Sequence, residues 1–157
     1  MTLEFKPEVL EEIAKIRERY PTVEAALLPV LHLAQREFGH VSIDAEEAVA
    51  KALGIPAPRV HGVSTFYTMF SNNPVGKYHV QVCTNITCSL LGAEHIVKYL
   101  EKKLGVKLGE TTPDNKFTLV EVECLGSCGT APMMQINEDY YEDLTEQKID
   151  EILASLT

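Results

Sequence analysis

Tryptophan is absent from this chain of 157 residues, and cysteine occurs only four times, confined to two short stretches. Positive charge is scarce as well: 14 Lys and Arg stand against 23 Asp and Glu, a net charge of −9. That balance argues against nucleic acid as a partner, because holding a phosphate backbone needs a basic surface. Most of the acid excess lies in the second half, where residues 74–157 carry 7 basic and 13 acidic groups against 7 and 10 in residues 1–73. No apolar run approaches the roughly 18–20 residues of a membrane-spanning helix; the longest, Ala25–Leu31, is interrupted by Pro29. Direct membrane insertion is therefore not expected. The opening "MTLEFKPEVLEE" is acidic and lacks the basic and apolar regions of a secretory signal, so an internal, reducing compartment is the expectation. There is also no C-x-x-C and no G-x-G-x-x-G, which removes the motifs of thioredoxin-type redox exchange and of dinucleotide binding.

What is present divides in two. Residues 1–73 have helical periodicity. Val9, Ile13, Ile16 and Tyr20 recur on one face, with Pro7 at the opening and Pro21 at the end. Thr22 can cap a second helix with Leu27, Leu31, Ala34 and Phe38 buried, kinked at Pro29 and closed by Gly39. A third helix, capped by Ser42 or Asp44, buries Ala45, Val49, Ala52 and Leu53 and stops at Gly54. "PAPRVHGVSTFYTMF" reads as a fourth, ending near Phe70, with Phe66, Tyr67 and Phe70 as core aromatics. "SNNPVGK" is turn chemistry and a domain boundary.

From residue 74 the period changes. "KYHVQVC" alternates as a strand, "LLGAEHIVKYLEKKLG" is a helix with Leu91, Ile96 or His95, Tyr99 and Leu100 inward, and "FTLVEVEC" is a second strand. "MMQIN" and "EDYY" suggest a hairpin, followed by a last helix capped by Thr145. Pro132 falls between a loop and a strand, and its isomer is left open. A strand–helix–strand unit is right-handed with parallel strands, so both strands end at one edge of the sheet. Cys83 follows the first and Cys124 the second; each opens a loop holding a further cysteine, Cys88 or Cys128. Four sulfurs can therefore converge.

Disulfides suit secreted or core-poor domains, and this chain has 45% apolar residues. Structural zinc accepts four thiolates and these spacings. A [2Fe–2S] cluster takes two thiolates on each of two irons, which two separate pairs provide, and Gly126 and Gly129 let loop N–H groups turn toward the sulfurs. Such donors matter because cluster and thiolates together carry about −2 when oxidised and −3 when reduced. Rieske ligation needs histidines in these loops, and there are none. Spacing leaves zinc and cluster both open and favours the cluster. The five histidines, 32, 40, 61, 79 and 95, are scattered and are expected to be structural.

"VGKYHVQVCTNITC", "GETTPDNKFTLVEVECLGSCGTAPMMQIN" and "YYEDLT" resemble the thioredoxin-like [2Fe–2S] subunit of complex I, NADH:quinone oxidoreductase (its E-type subunit family). The helices before them, with "VSTFYTMF", resemble its N-terminal region. The resemblance implies an α+β protein: a helical bundle over residues 1–73, then a thioredoxin-like domain over 74–157 carrying the cluster. It implies that Cys83, Cys88, Cys124 and Cys128 are the ligands, with no catalytic residue in the chain. It further implies a partner flavoprotein that holds the FMN and NADH, and a cytoplasmic position at the inner face of the membrane through the complex. The chain would carry single electrons and would not oxidise NADH alone. Related subunits serve NAD-linked hydrogenases and formate dehydrogenases, and an isolated chain could pair with itself as a homodimer. From another class, a zinc-stabilised interaction module without redox activity is the competing expectation.

Overall fold

The structure is a computed structural model and describes residues 3–156. The chain forms two compact units, one ending at Pro74 and one beginning at Val75.

The first unit is helical. Helix α1 (Pro7–Glu18) starts with its proline in the first turn and buries Ile13 and Ile16. The expected kink at Pro29 is not how the chain accommodates that residue. Thr22 Oγ1 accepts the Ala25 N–H ahead of a 3₁₀ turn over Glu24–Ala26, and helix α2 (Leu27–Phe38) begins only afterwards. Pro29 thus lies in the first turn, where a backbone N–H has no intrahelical acceptor to lose. Gly39 ends α2 at φ +82°. Ser42, not Asp44, caps α3 (Ile43–Leu53), accepting the Ala45 N–H at 3.3 Å. Helix α4 (Ala57–Phe66) stops four residues short of the expected end, because Tyr67 is already extended at φ −91°, ψ 118°. That change of phase divides the aromatics. Phe70 is buried, its ring 4.9 Å from that of His32, whereas Phe66 is 75% exposed and Tyr67 is exposed beside it. The expectation that all three are core is corrected for those two. Buried Glu46 joins α3 to α4: its carboxylate meets His61 Nδ1 at 2.9 Å and Ser64 Oγ at 2.5 Å.

The second unit runs β1 (Tyr78–Cys83), α5 (Ile86–Leu90), α6 (Ala93–Leu104), β2 (Phe117–Val122), β3 (Met134–Ile136), β4 (Asp139–Tyr141) and α7 (Glu146–Ser155). The sheet order is β2-β1-β3-β4. Strands β1 and β2 are parallel, and β3 and β4 are antiparallel additions. Val80, Val82, Leu119, Met134 and Ile136 share one face and form a core with Ile96 and Leu100 of α6 and Ile149 and Ile152 of α7. Fully burying each such side chain favours folding by about 1.5–3 kcal/mol. Asp150 of α7 binds α6 directly, accepting from Tyr99 Oη and Lys103 Nζ, each at 2.9 Å. Thr145 caps α7 as its sequence indicates. One expectation is corrected: the helix after β1 is two pieces, the five-residue α5 and then α6, separated by Gly92 at φ +98°. Leu91 therefore falls at the break and is exposed. The Ala131–Pro132 bond is cis.

Gly76 shows how closely the entry to β1 approaches β2. Its N–H donates to Thr118 Oγ1 at 2.6 Å, and a Cβ there would lie 2.9 Å from backbone atoms of Phe117. A strand backbone cannot give way as a flexible side chain does. Gly76→Ala should therefore destabilise the second unit by about 1–3 kcal/mol, seen as a lower urea midpoint at unchanged m-value; an unshifted midpoint would refute this close-packing account.

Candidate metal centre

Cys83 is the last residue of β1, and Cys124 follows the end of β2 by two residues. In-register pairing from Tyr78↔Phe117 to Cys83↔Val122 brings these strand ends to one edge. Cys88 is the middle residue of α5, whose start Asn85 caps by accepting the Ile86 N–H at 2.9 Å. Cys128 opens a 3₁₀ turn, Cys128–Thr130, before β3. The four predicted sulfurs arrive together. Cys83 is near enough to Cys88 and Cys124 for their thiols to act on its acidity, and Cys128 is near enough to act on Cys88 through its charge. All four are free thiols.

Burial differs within the set. Cys83 and Cys88 are 3% and 2% exposed and pack with Ala93 and Met133, with Leu125 and Ala131 against them. Cys124 and Cys128 are on the exposed side. Burial pushes the Cys83 thiol up, yet the N–H groups of Asn85 and Leu125, with the thiols of Cys88 and Cys124, outweigh it and hold the group below its ordinary value. Burial pushes Cys88 up to about 11, helped by Cys83 and opposed by the Met133 N–H. The Gly126 N–H lies 3.4 Å from Cys124 Sγ, in a turn that needs φ +79° at Gly126.

Among the described residues no three His, Cys, Asp or Glu side chains are gathered to hold a single metal ion. A [2Fe–2S] cluster asks for a different arrangement, two thiolates on each of two irons with N–H donors around the sulfurs. Four thiols at one edge, with N–H groups of Asn85, Leu125, Gly126 and Met133 directed at three of them, fit that requirement.

The supports of the second loop are less visible in the sequence. Glu142, just after β4, accepts from the hydroxyls of Ser127 and Thr130, which flank Cys128. Those bonds, Ser127 first, hold its carboxyl below the usual range. Tyr140 Oη donates to the Leu125 carbonyl at 2.8 Å, and the Asp143 N–H donates to the Thr130 carbonyl at 2.7 Å. The hairpin thus clasps the loop from residues 12–15 positions away, and no local pattern announces such a tie. The histidines stand apart from the thiols: His61 binds Glu46, His95 binds Glu146, and burial lowers the pKa of His79.

A thioredoxin-like fold that gathers four thiols at one sheet edge defines a class, and comparison with known proteins places the chain within it. The thioredoxin-like [2Fe-2S] ferredoxin family matches residues 13–157, and the chain belongs to that family. It is 54% identical over 149 residues to the E-type NADH-quinone oxidoreductase subunit of Rickettsia conorii, covering 93% of this chain and 87% of that one. It is 44% identical over 145 residues to an E-type NADH-quinone oxidoreductase subunit of Rhizobium meliloti, the one numbered 2, covering 92% and 86%. Among solved structures, an NAD+-reducing [NiFe]-hydrogenase in its air-oxidized state superposes with a TM-score of 0.72 at 21% identity, over 83% of this chain and 22% of that one; this likeness concerns the fold.

If Glu142 holds the loop, Glu142→Ala should leave secondary structure intact by circular dichroism while iron passes to an added chelator about threefold or more faster. Iron loss at the wild-type rate would show that the carboxylate is not a support.

Proposed function

We propose that this chain is the one-electron carrier of an NADH:quinone oxidoreductase, and that Cys83, Cys88, Cys124 and Cys128 ligate its [2Fe–2S] cluster. The observation that carries this is the meeting of all four thiols where β1 and β2 end together, in a chain about half identical, along most of its length, to E-type subunits of that oxidoreductase. When bound, the cluster supplies a site that gains and loses one electron. The chain's own residues do the rest. Cys83 and Cys88 hold the inner side, where Met133 and Ala93 exclude water. Cys124 and Cys128 hold the outer side on a loop clasped by Glu142 and Tyr140. The N–H groups of Asn85, Leu125 and Met133 soften the negative charge on the sulfurs, without a proton changing place. NADH and FMN belong to a partner flavoprotein in this proposal, with which electrons are exchanged. No helix among the described residues is long and apolar enough to cross a membrane, and attachment at the cytoplasmic face would come through the assembly.

Purified without oxygen, the protein should be brown, with about two irons and two acid-labile sulfides per chain. NADH should reduce it only when the flavoprotein is added. Replacing any one cysteine by Ala should lower iron retention, since an iron left with one thiolate is open to water. A colourless protein holding one zinc would establish the zinc module instead, and wild-type iron and spectrum in Cys128→Ala would remove that residue from the ligand set.

A further inference from the structure

The two cysteine loops differ in what it costs to move them. The first is built on a helix. The Ser89 N–H donates to the Asn85 carbonyl at 2.8 Å and the Leu91 N–H to the Thr87 carbonyl at 3.1 Å, and Cys88 packs with Cys83, Ala93 and Met133. Displacing α5 would break those bonds and empty a packed site. The second loop has neither hold. From Glu123 to Thr130 no residue is buried, and its one regular feature is the 3₁₀ turn Cys128–Thr130. Segments with few buried contacts and solvent-exposed hydrogen bonds are those that open locally at low cost.

Both ends of this loop are nonetheless anchored through the backbone. At one end the Val122 carbonyl accepts the Thr84 N–H at 3.1 Å; at the other the Thr130 carbonyl accepts the Asp143 N–H at 2.7 Å. Between the anchors Leu125 packs against the group of Cys83, Cys88, Ala93 and Met133. The exposed loop thus contributes one apolar side chain to the cover of the buried thiols. Side chains of the hairpin hold that cover down. Tyr140 Oη donates to the Leu125 carbonyl at 2.8 Å, and Glu142 accepts from the hydroxyls of Ser127 and Thr130. The strands of the hairpin are paired independently of these contacts, so the contacts can part without loss of the sheet.

We infer that the second loop is the door of the metal centre: residues 123–129 swing between the anchors at Val122 and Thr130, Leu125 uncovers the inner thiols, and Tyr140 and Glu142 are the latch. This rests on the ligand set proposed above and adds the side by which iron and sulfide enter and leave. Loading is ligand exchange. Each of the four thiols gives up its proton as its sulfur replaces a small thiolate on iron; the displaced thiolate leaves with that proton, and no electron moves. A latch differs from a support in its kinetics. Passage in either direction needs it open, so cutting it speeds loading as well as loss, whereas cutting a support speeds loss alone.

The test loads the full chain, prepared without iron, from the [2Fe–2S] complex of glutathione, and follows visible absorption. Loss is followed as transfer of iron from the loaded chain to a chelator, with circular dichroism recorded for every variant. Tyr140→Phe, which removes only a hydroxyl, should raise both rates about twofold or more, and Glu142→Ala should raise both about threefold or more. Backbone amides of residues 123–129 should exchange with solvent faster in both variants, while those of α5 exchange as in wild type. If Glu142→Ala alters the circular dichroism, Tyr140→Phe carries the test. Faster loss with unchanged or slower loading in Tyr140→Phe would make the hydroxyl a support and overturn the door, leaving the ligand set standing. Wild-type amides that exchange faster in α5 than in residues 123–129 would put the opening at the first loop and also overturn it. A wild-type chain that takes up no [2Fe–2S] from the donor would overturn the ligand set and this inference with it.

Discussion

The parallel pairing of β1 with β2 is the constraint on which the site depends. Thirty-five residues separate Cys88 from Cys124, and nothing local brings them together. The ladder from Tyr78↔Phe117 to Cys83↔Val122 does so by ending both strands at the same edge. Had the strands formed an antiparallel hairpin, their C-terminal ends would lie at opposite edges, roughly 20 Å apart for six residues. The α6 crossover is what allows the parallel arrangement, since parallel neighbours need a long connection, and Ile96 and Leu100 of that helix pack on the apolar face of β1 and β2. Register is set by the same apolar face: a slip of one residue would turn Val80 and Val82 away from Leu100 and Ile149.

Around that edge the two loops are held differently. The first is stiffened from within: Asn85 caps α5, and Cys88 is packed into an apolar pocket with Met133. The second has little core of its own and is held from outside, by the Glu142 carboxylate and the Tyr140 hydroxyl on the β3–β4 hairpin. The hairpin is therefore more than an extension of the sheet. It pairs with β1 through Val82↔Met134, which places both the Met133 N–H at Cys88 and the clasp at Cys128. One short meander serves both loops.

The sequence is most legible where a single physical signal acts over a few residues. Alternation marks β1, Ser42 and Thr145 mark caps, and the two cysteine pairs, placed after strands of one crossover unit, mark the edge where the thiols meet. It is less legible where two signals compete. Pro29 reads as a kink because the 3₁₀ turn before it continues the apolar periodicity without a break. Phe66 and Tyr67 read as core because hydrophobicity alone does not tell an inward aromatic from one displaced by an early helix end. Helix α5 is hidden, since five residues are too few for a period to show. The Glu142 clasp has no signal at all: a glutamate in an acidic stretch reads as a solvated charge until the hairpin brings it to Ser127 and Thr130.

The acidity of this edge bears on the electron. An iron–sulfur centre with four thiolates is already anionic, and taking an electron adds a negative charge. Every exposed carboxylate near the loops works against that addition, and burial beside Met133 and Ala93 works against it too, since charge is poorly solvated there. The chain brings no Lys or Arg to these loops in compensation; it offers the N–H dipoles of Asn85, Leu125, Gly126 and Met133. Dipoles stabilise charge over a short range and need no counterion, which suits a centre whose charge changes by one unit.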